Sequence, residues 1–305
     1  MKRFLVRILI FLIIVFAADR VMGSVLSKAY NHDKVDYICN KCDEEILIFG
    51  SSRAESHYNA RMIEDSLGIS AFNCGASGYG IINSLGYLKM ILKHHRPQIV
   101  IYDVWPQFDL DRMDNHRFLG HLKPYYDNEC IKELFIRVDP LEKYKMQSLL
   151  YRYNSHYLHK PNKYFTSDYD KKMQENRGFK PKNKPFKKPE YNNTKMTPFL
   201  NDTLKVNMFH EFLCALGDSI SVIAVVSPIW SGSSEKVKQV INLFEKHSIP
   251  IYDFSNNSKY VHHDDYFYND SHMNATGADE FTKDIIAYIK QELSQKQKLK
   301  LDRLN

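Results

Sequence analysis

Five short apolar runs, spaced by segments of helical length, restrict the fold of this chain more than any other feature. They are Ile46–Phe49, Ile69–Asn73, Ile99–Val104, Ser221–Val226 and Ile249–Phe254. Most are Ile/Val-rich and unbroken by polar residues, Ile69–Asn73 being the exception, and all are too short for a helix. A strand of that kind is buried on both faces, as in a parallel sheet covered by helices on either side. The intervening segments fit helices at about 54–66, 80–94, 204–216, 233–247 and 275–294. In the second of these Ile81, Leu85, Leu88 and Ile91 recur on one face, and in the last Phe281, Ile285, Ile286 and Ile289 do. The reading is an α/β protein with a doubly wound, mostly parallel five-stranded sheet, occupying about 45–292 and followed by a basic tail over 293–305.

The alternation breaks between 107 and 205, which reads as a mixed insertion with helical pieces near 128–152. Within it, residues 160–195 carry ten Lys and one Arg against four carboxylates. The whole chain is only +6, so the remainder is close to neutral. Pro181, Pro185 and Pro189 oppose regular structure there. Such a basic, aromatic-interleaved loop is either a solvated insertion or a surface for anionic glycan or lipid headgroups. No nucleic-acid-binding motif accompanies it, and nucleic acid is not expected as a partner. The 20 Tyr and 18 Phe suit an aromatic core and equally suit sugar stacking.

At the amino terminus Lys2, Arg3 and Arg7 precede the apolar run Ile8–Ala18. Basic residues followed by such a run read as a signal anchor over 1–24, with a polar stalk over 25–44 and the body outside the cytoplasm, periplasmic or at the cell surface. The run is shorter than the roughly 20 residues of a full span.

Chemistry gathers at the carboxyl ends of strands in such sheets. There the first strand breaks into Gly50-Ser51-Ser52, the second into Asn73-Cys74-Gly75, and the third into Asp103 to Gln107. Far downstream, Asn269-Asp270-Ser271-His272 precedes the last helix. A serine hydroxyl needs an adjacent base, for which His272 is the candidate, and a carboxylate to orient the imidazole, for which Asp270 is the candidate. The amides of Ser52 and Gly75 are candidate oxyanion donors. Arg53, Asn73, Gln107 and Asn269 lie at the same edge and are candidates for substrate binding.

These blocks resemble the SGNH (GDSL-like) hydrolase superfamily, whose fold is flavodoxin-like. Its Gly-Asp-Ser block is matched by Gly50-Ser51-Ser52, its second-block glycine by Gly75, and its Asp-x-x-His block approximately by Asn269 to His272. The Gly-Ser-Ser variant, the basic-apolar start and His272-Met273-Asn274-x-x-Gly277 look most like membrane-anchored relatives of the D-alanine transfer protein of teichoic acid synthesis and of alginate O-acetylation proteins. The third block, Gly-x-Asn-Asp, has no literal match. Asp103-Val104-Trp105-Pro106-Gln107 stands in its place, and Gln107 is the candidate replacement donor. Asn269 occupies the usual acid position, with Asp270 one residue later, so either Asp270 supports His272 or the pair acts as a dyad.

The resemblance implies an extracytoplasmic serine esterase or O-acyltransferase moving acetyl or another small acyl group of a cell-surface polysaccharide, with a membrane acyl-donor protein as a further partner and no cofactor. The alternative is an inactive accessory or glycan-binding protein on the same fold. His262, His263, Asp264 and Asp265 form no complete metal-ligand spacing, so no metal is expected. The five cysteines include Cys39-x-x-Cys42, read either as two thiols or as a disulfide in an oxidising compartment.

Overall fold

The computed structural model describes residues 1–27, 34–153, 168–189, 201–232, 235–246, 249 and 251–302. Its centre is an all-parallel sheet of β1 (Ile46–Gly50), β2 (Ala71–Asn73), β3 (Ile99–Asp103), β4 (Ser221–Val226) and β5 (Ile251–Asp253), in the order β2-β1-β3-β4-β5. Register runs Ile46 opposite Ile99 and Ile99 opposite Ser221. All the strand carboxyl ends therefore meet along one edge. Part of the expected fifth strand lies outside the described residues.

Because successive strand side chains point to opposite faces, the two sides sort cleanly. Leu47, Phe49, Val100, Tyr102 and Ala224 face one core, packed by α5 (Ile81–Ile91) and the helix Thr203–Leu216. Ile46, Ile48, Ile99, Ile101, Ile223 and Val225 face the other, covered by α3 (Ser52–His57), α4 (Ala60–Leu67) and the last helix, Ala275–Asp302. The segment expected as one helix over 54–66 is thus two, separated at Tyr58–Asn59. Asn59 caps the second by accepting the Met62 amide at 3.2 Å. The last helix continues to Asp302, through most of the expected tail.

The stalk is not a stalk throughout. Residues Lys34–Asn40 form α2, whose Val35, Ile38 and Cys39 are buried in the core. In the insertion, a 3-10 stretch Asn115–Tyr125 and α6 (Glu129–Val138) pack on α5 through Phe118, Leu122, Ile131 and Leu134.

The amino-terminal segment forms α1 (Lys2–Ser27), exposed along Phe4–Phe16. Its far end docks on the insertion: Asp19 accepts the Ser148 hydroxyl at 2.5 Å and the amides of Leu149 and Leu150 at 3.0 Å. Among the described residues no helix is long and apolar enough to cross a membrane. Arg7 and the Asp19-Arg20 pair bracket the apolar run, which at about 1.5 Å per residue covers only about half of a bilayer core. A membrane-spanning anchor over 1–24 is therefore not supported.

Candidate active site

The position of the candidate nucleophile is built by Gly50. Its φ is +136°, and a Cβ there would stand 2.5 Å from the Asp103 carbonyl, so only glycine lets β1 turn this tightly into α3. Ser51 then sits at the N-cap without making a side-chain cap bond, and Ser52 opens the helix at the sheet edge.

His272 is delivered by an antiparallel hairpin that was not among the expected strands. β6 (Phe267–Asn269) pairs with β7 (His272–Met273) across the two-residue turn Asp270-Ser271, and Phe267 and Met273 are buried as anchors. Met273 donates its amide to His57 Nε2 at 3.0 Å, tying the hairpin to α3. Asn274 then accepts the Gly277 amide at 2.9 Å, capping the last helix.

Ser52 Oγ lies 2.7 Å from His272 Nε2, although 220 residues separate them. His272 Nδ1 lies 3.0 Å from Asn269 Oδ1. That oxygen also accepts the amides of Ser271 at 3.1 Å and His272 at 2.9 Å. Two backbone donors fix which end of the Asn269 amide faces inward, so Nδ1 must carry the ring proton and donate it. Nε2 is then the lone-pair atom that accepts from the Ser52 hydroxyl.

Asp270, the expected orienting carboxylate, is not part of this chain of bonds. Its Oδ1 accepts the Ser231 amide at 3.1 Å and its carbonyl accepts the Trp230 amide at 2.8 Å. It moors the hairpin tip to the loop after β4. The turn geometry is the reason: with Asn269 and His272 paired across the hairpin, the intervening Asp270 projects away from the ring.

The other candidate residues divide. Asn73 is wholly buried and fully used, donating to the carbonyls of Ala54 at 2.7 Å and Tyr58 at 2.9 Å while accepting the Gly75 amide at 2.9 Å. It is a brace for α3. The Gly75 amide, a candidate oxyanion donor, is held by that side chain. A Cβ on Gly75 would strike the Glu55 amide and stand 2.8 Å from Ala54 C, so the glycine permits close packing of the loop on α3. Gln107 is exposed on the short helix Pro106–Asp109, with no bond to Ser52 or His272.

Arg53 is also a support beneath the site and not a surface group, being 1% exposed. Its Nε donates to Ser227 Oγ at 2.9 Å, it pairs with Asp103 at 3.7 Å, and its guanidinium lies 4.5 Å over the Trp105 ring. Asp103, standing where the third block would fall, is wholly buried; it accepts from Tyr58 at 2.9 Å and from the Ser227 amide at 3.0 Å. Burial pushes its carboxyl up, while Arg53 and Ser227 oppose that shift.

Burial holds the His272 imidazole down to about 4, and Lys182 and then Arg53 push the same way, against a small opposing effect of Glu55. His57, T-shaped to His272 at 6.3 Å, is held well below the usual histidine range by burial, then by Arg53 and His272. Both rings are therefore neutral at pH 7.

The basic insertion supplies the residues that sequence reasoning missed. Within its described part, 168–189, residues 177–187 form a strap across the sheet edge. The Arg177 carbonyl accepts the Asn73 amide at 2.9 Å, Lys180 donates its amide to Glu55 O at 2.8 Å, Lys182 O accepts from Ala275 at 3.1 Å, and Lys187 donates to Tyr268 O at 2.8 Å. Phe186 packs on Trp230 at 5.1 Å. The rest of the 160–195 loop lies partly outside the described residues. Charge and proline content gave no hint of this docking, because it rests on backbone groups.

Two other groups of side chains stand apart from the site. Cys39 and Cys42 form no disulfide with each other and are both buried; Cys42 bonds Glu44 at 3.2 Å and contacts Cys74. His116, Asp139 and Glu142 cluster within 4.8 Å. Lys145 already bridges that cluster, 2.8 Å from Asp139 and 3.0 Å from Glu142, which makes it an ion-pair knot.

No family model matches the chain, and no curated protein matches it. Among solved structures, it is similar to a protein from Streptococcus pneumonia provisionally described as a platelet activating factor, at 10% identity and a TM-score of 0.37, covering 92% of this chain and 98% of that one. A likeness at that level identifies neither family nor activity.

Proposed function

We propose that this chain is a serine esterase or O-acyltransferase of the SGNH type, acting on acyl groups of a cell-surface polysaccharide through a Ser52 acyl-enzyme. The observation that carries the reading is the 2.7 Å approach of Ser52 Oγ to His272 Nε2, with the ring's other nitrogen on Asn269. Ser52 Oγ attacks the ester carbonyl as its proton passes to Nε2, forming a tetrahedral oxyanion. Collapse expels the alcohol, which takes the proton back from His272. A water or sugar hydroxyl, deprotonated by the same nitrogen, then attacks the acyl-serine and releases Ser52 with its proton. Asn269 performs the orienting role that an asparagine performs in some cysteine proteases. The amide of Ser52 at the start of α3 supports the oxyanion.

The exposed apolar face of α1 favours membrane association of the body outside the cytoplasm, by partial insertion and not by a span; flotation with lipid vesicles that survives removal of residues 1–24 would refute that. For the chemistry, the soluble body is incubated with an activated acetyl ester and with a fluorophosphonate. Ser52→Ala is expected to abolish both turnover and labelling; equal turnover by parent and variant would end the assignment. The neutral Asn269 and the weak His272 base favour a second reading, a non-catalytic glycan-binding protein. Glycan binding by the parent without fluorophosphonate labelling would select it.

A further inference from the structure

Ser52 and His57 are the first and last residues of α3, and the hairpin that carries His272 is tied to both. The helix itself is a fixed platform. Asn73 holds the carbonyls of Ala54 and Tyr58, while Ser227 and Asp103 hold Arg53. Besides the Ser52–His272 bond, the hydrogen bond that joins α3 to the hairpin among the described residues runs from the Met273 amide to His57 Nε2, at 3.0 Å. The other fastenings of the hairpin lead elsewhere: Asp270 to the loop after β4, and the Tyr268 carbonyl to Lys187 of the strap. Phe267 and Met273 are buried, but burial of apolar groups has no preferred direction. A hydrogen bond fixes both distance and direction.

His57 is wholly buried, and an imidazole there is costly unless both of its nitrogens find partners. Both do. Nε2 faces a donor N–H and must offer its lone pair, so Nδ1 carries the proton and donates it to Ser227 Oγ at 3.0 Å. Ser227 is itself held twice, its amide by Asp103 at 3.0 Å and its hydroxyl oxygen by Arg53 Nε at 2.9 Å. One chain of bonds therefore runs from the end of β3, through the loop after β4 and the His57 ring, to the main chain of β7. The residue it grips is the neighbour of His272, whose ring stands T-shaped to His57 at 6.3 Å. Burial, then Arg53 and His272, keep His57 unprotonated, which preserves Nε2 as an acceptor.

We infer that His57 is a positioning residue of this site: through the Met273 amide it sets where the hairpin presents His272 Nε2 to Ser52. The inference rests on reading Ser52 and His272 as nucleophile and base, and it adds no proton transfer to that reading. Being wholly buried, His57 acts through His272 and not on the ester. Its loss lets β7 shift while the bond between His272 Nδ1 and Asn269 survives, because that bond lies within the hairpin. A displacement of about 1 Å at a catalytic group is enough to cost about 100-fold in rate.

The test compares the full chain with its His57→Gln and His57→Asn variants, each shown to be folded by denaturant unfolding. The Gln side-chain oxygen reaches the position of Nε2 and still accepts the Met273 amide; Asn stops at the position of Nδ1 and keeps only Ser227. With an activated acetyl ester, His57→Asn is expected to lose about 100-fold in kcat while KM changes by less than about threefold, and His57→Gln to regain at least about tenfold of that loss. By nitrogen NMR, the His272 Nε2 resonance in His57→Asn is expected to move toward that of a free lone pair, with Nδ1–H still bonded to Asn269. In the parent, a coupling across the hydrogen bond between the Met273 amide nitrogen and His57 Nε2 reads the clamp with no substitution at all. Parental kcat and a parental Nε2 resonance in His57→Asn, equal losses in the two variants, or absence of that coupling overturns the inference. Fluorophosphonate labelling of the parent is read apart: an unlabelled Ser52 ends the acyl-transfer reading, while the His272 resonance still decides whether His57 places the ring.

Discussion

Asn269 Oδ1 stands 3.0 Å from His272 Nδ1 and accepts two backbone amides of the same turn. The side chain thereby locks its own orientation, and with it the tautomer of the ring. Asn269→Ala removes the lock and the turn bonds together, and is expected to lower kcat by about 100-fold or more. Asn269→Asp keeps the acceptor and adds charge, so the acid limb of kcat/KM moves up by about 1–3 pH units. Steady-state pH profiles of the two variants check both; an Asn269→Ala enzyme with parental kcat would show that the ring needs no orienting partner.

If Ser52 and His272 act as proposed, turnover should persist far into the acid range. His272 accepts a proton only while neutral, and burial with Lys182 and Arg53 holds its pKa at about 4. Activity in kcat/KM is therefore level from neutral pH down to about 5 and falls through about 4. Measurement uses a neutral acetyl ester, which brings no charge of its own to the ring. A limb near 6.5, the ordinary histidine value, would mean the site is wetter than its burial implies.

Asp270→Ala is expected to leave the position of that acid limb unchanged. Its carboxylate serves the Ser231 amide, so its loss frees the hairpin tip and lowers stability by about 1 kcal/mol. The paired readout is a denaturation curve and a pH profile. A downward shift of the limb in the profile would return Asp270 to the catalytic group.

His57 ties folding to pH. Its Nε2 accepts the Met273 amide, so the remaining ring proton sits on Nδ1, 3.0 Å from Ser227 Oγ. Burial keeps the native ring unprotonated well below the usual range, whereas the unfolded chain takes up that proton near 6.5. Below that value the unfolded state binds more protons, and stability declines as pH drops through about 6.5. In His57→Gln the decline between pH 7.5 and 5, read by denaturant unfolding, should be shallower. A parental slope would assign the linkage to other groups.

Much of the fold was legible in the order of residues. Unbroken Ile/Val runs cannot be half-solvated, so Ile46–Gly50, Ile99–Asp103 and Ser221–Val226 had to be central parallel strands, and Gly50-Ser51-Ser52 had to fall at their carboxyl edge. The hairpin around His272 was not legible, because three-residue and two-residue strands carry too little pattern to rise above a loop. Nor was the α3–α4 break, which depends on Asn59 finding the Met62 amide.

By itself, then, the sequence determined the sheet, the layers and the place of Gly50-Ser51-Ser52 at the carboxyl edge, since burial of apolar runs obeys spacing. Only the tertiary structure decided that Asn269 and not Asp270 faces the ring, that Arg53 and Asn73 are buried supports, and that the Lys180–Lys184 strap borders the site. Those outcomes depend on which way a side chain points from a turn and on backbone hydrogen bonds between distant segments, and neither leaves a mark in composition or periodicity.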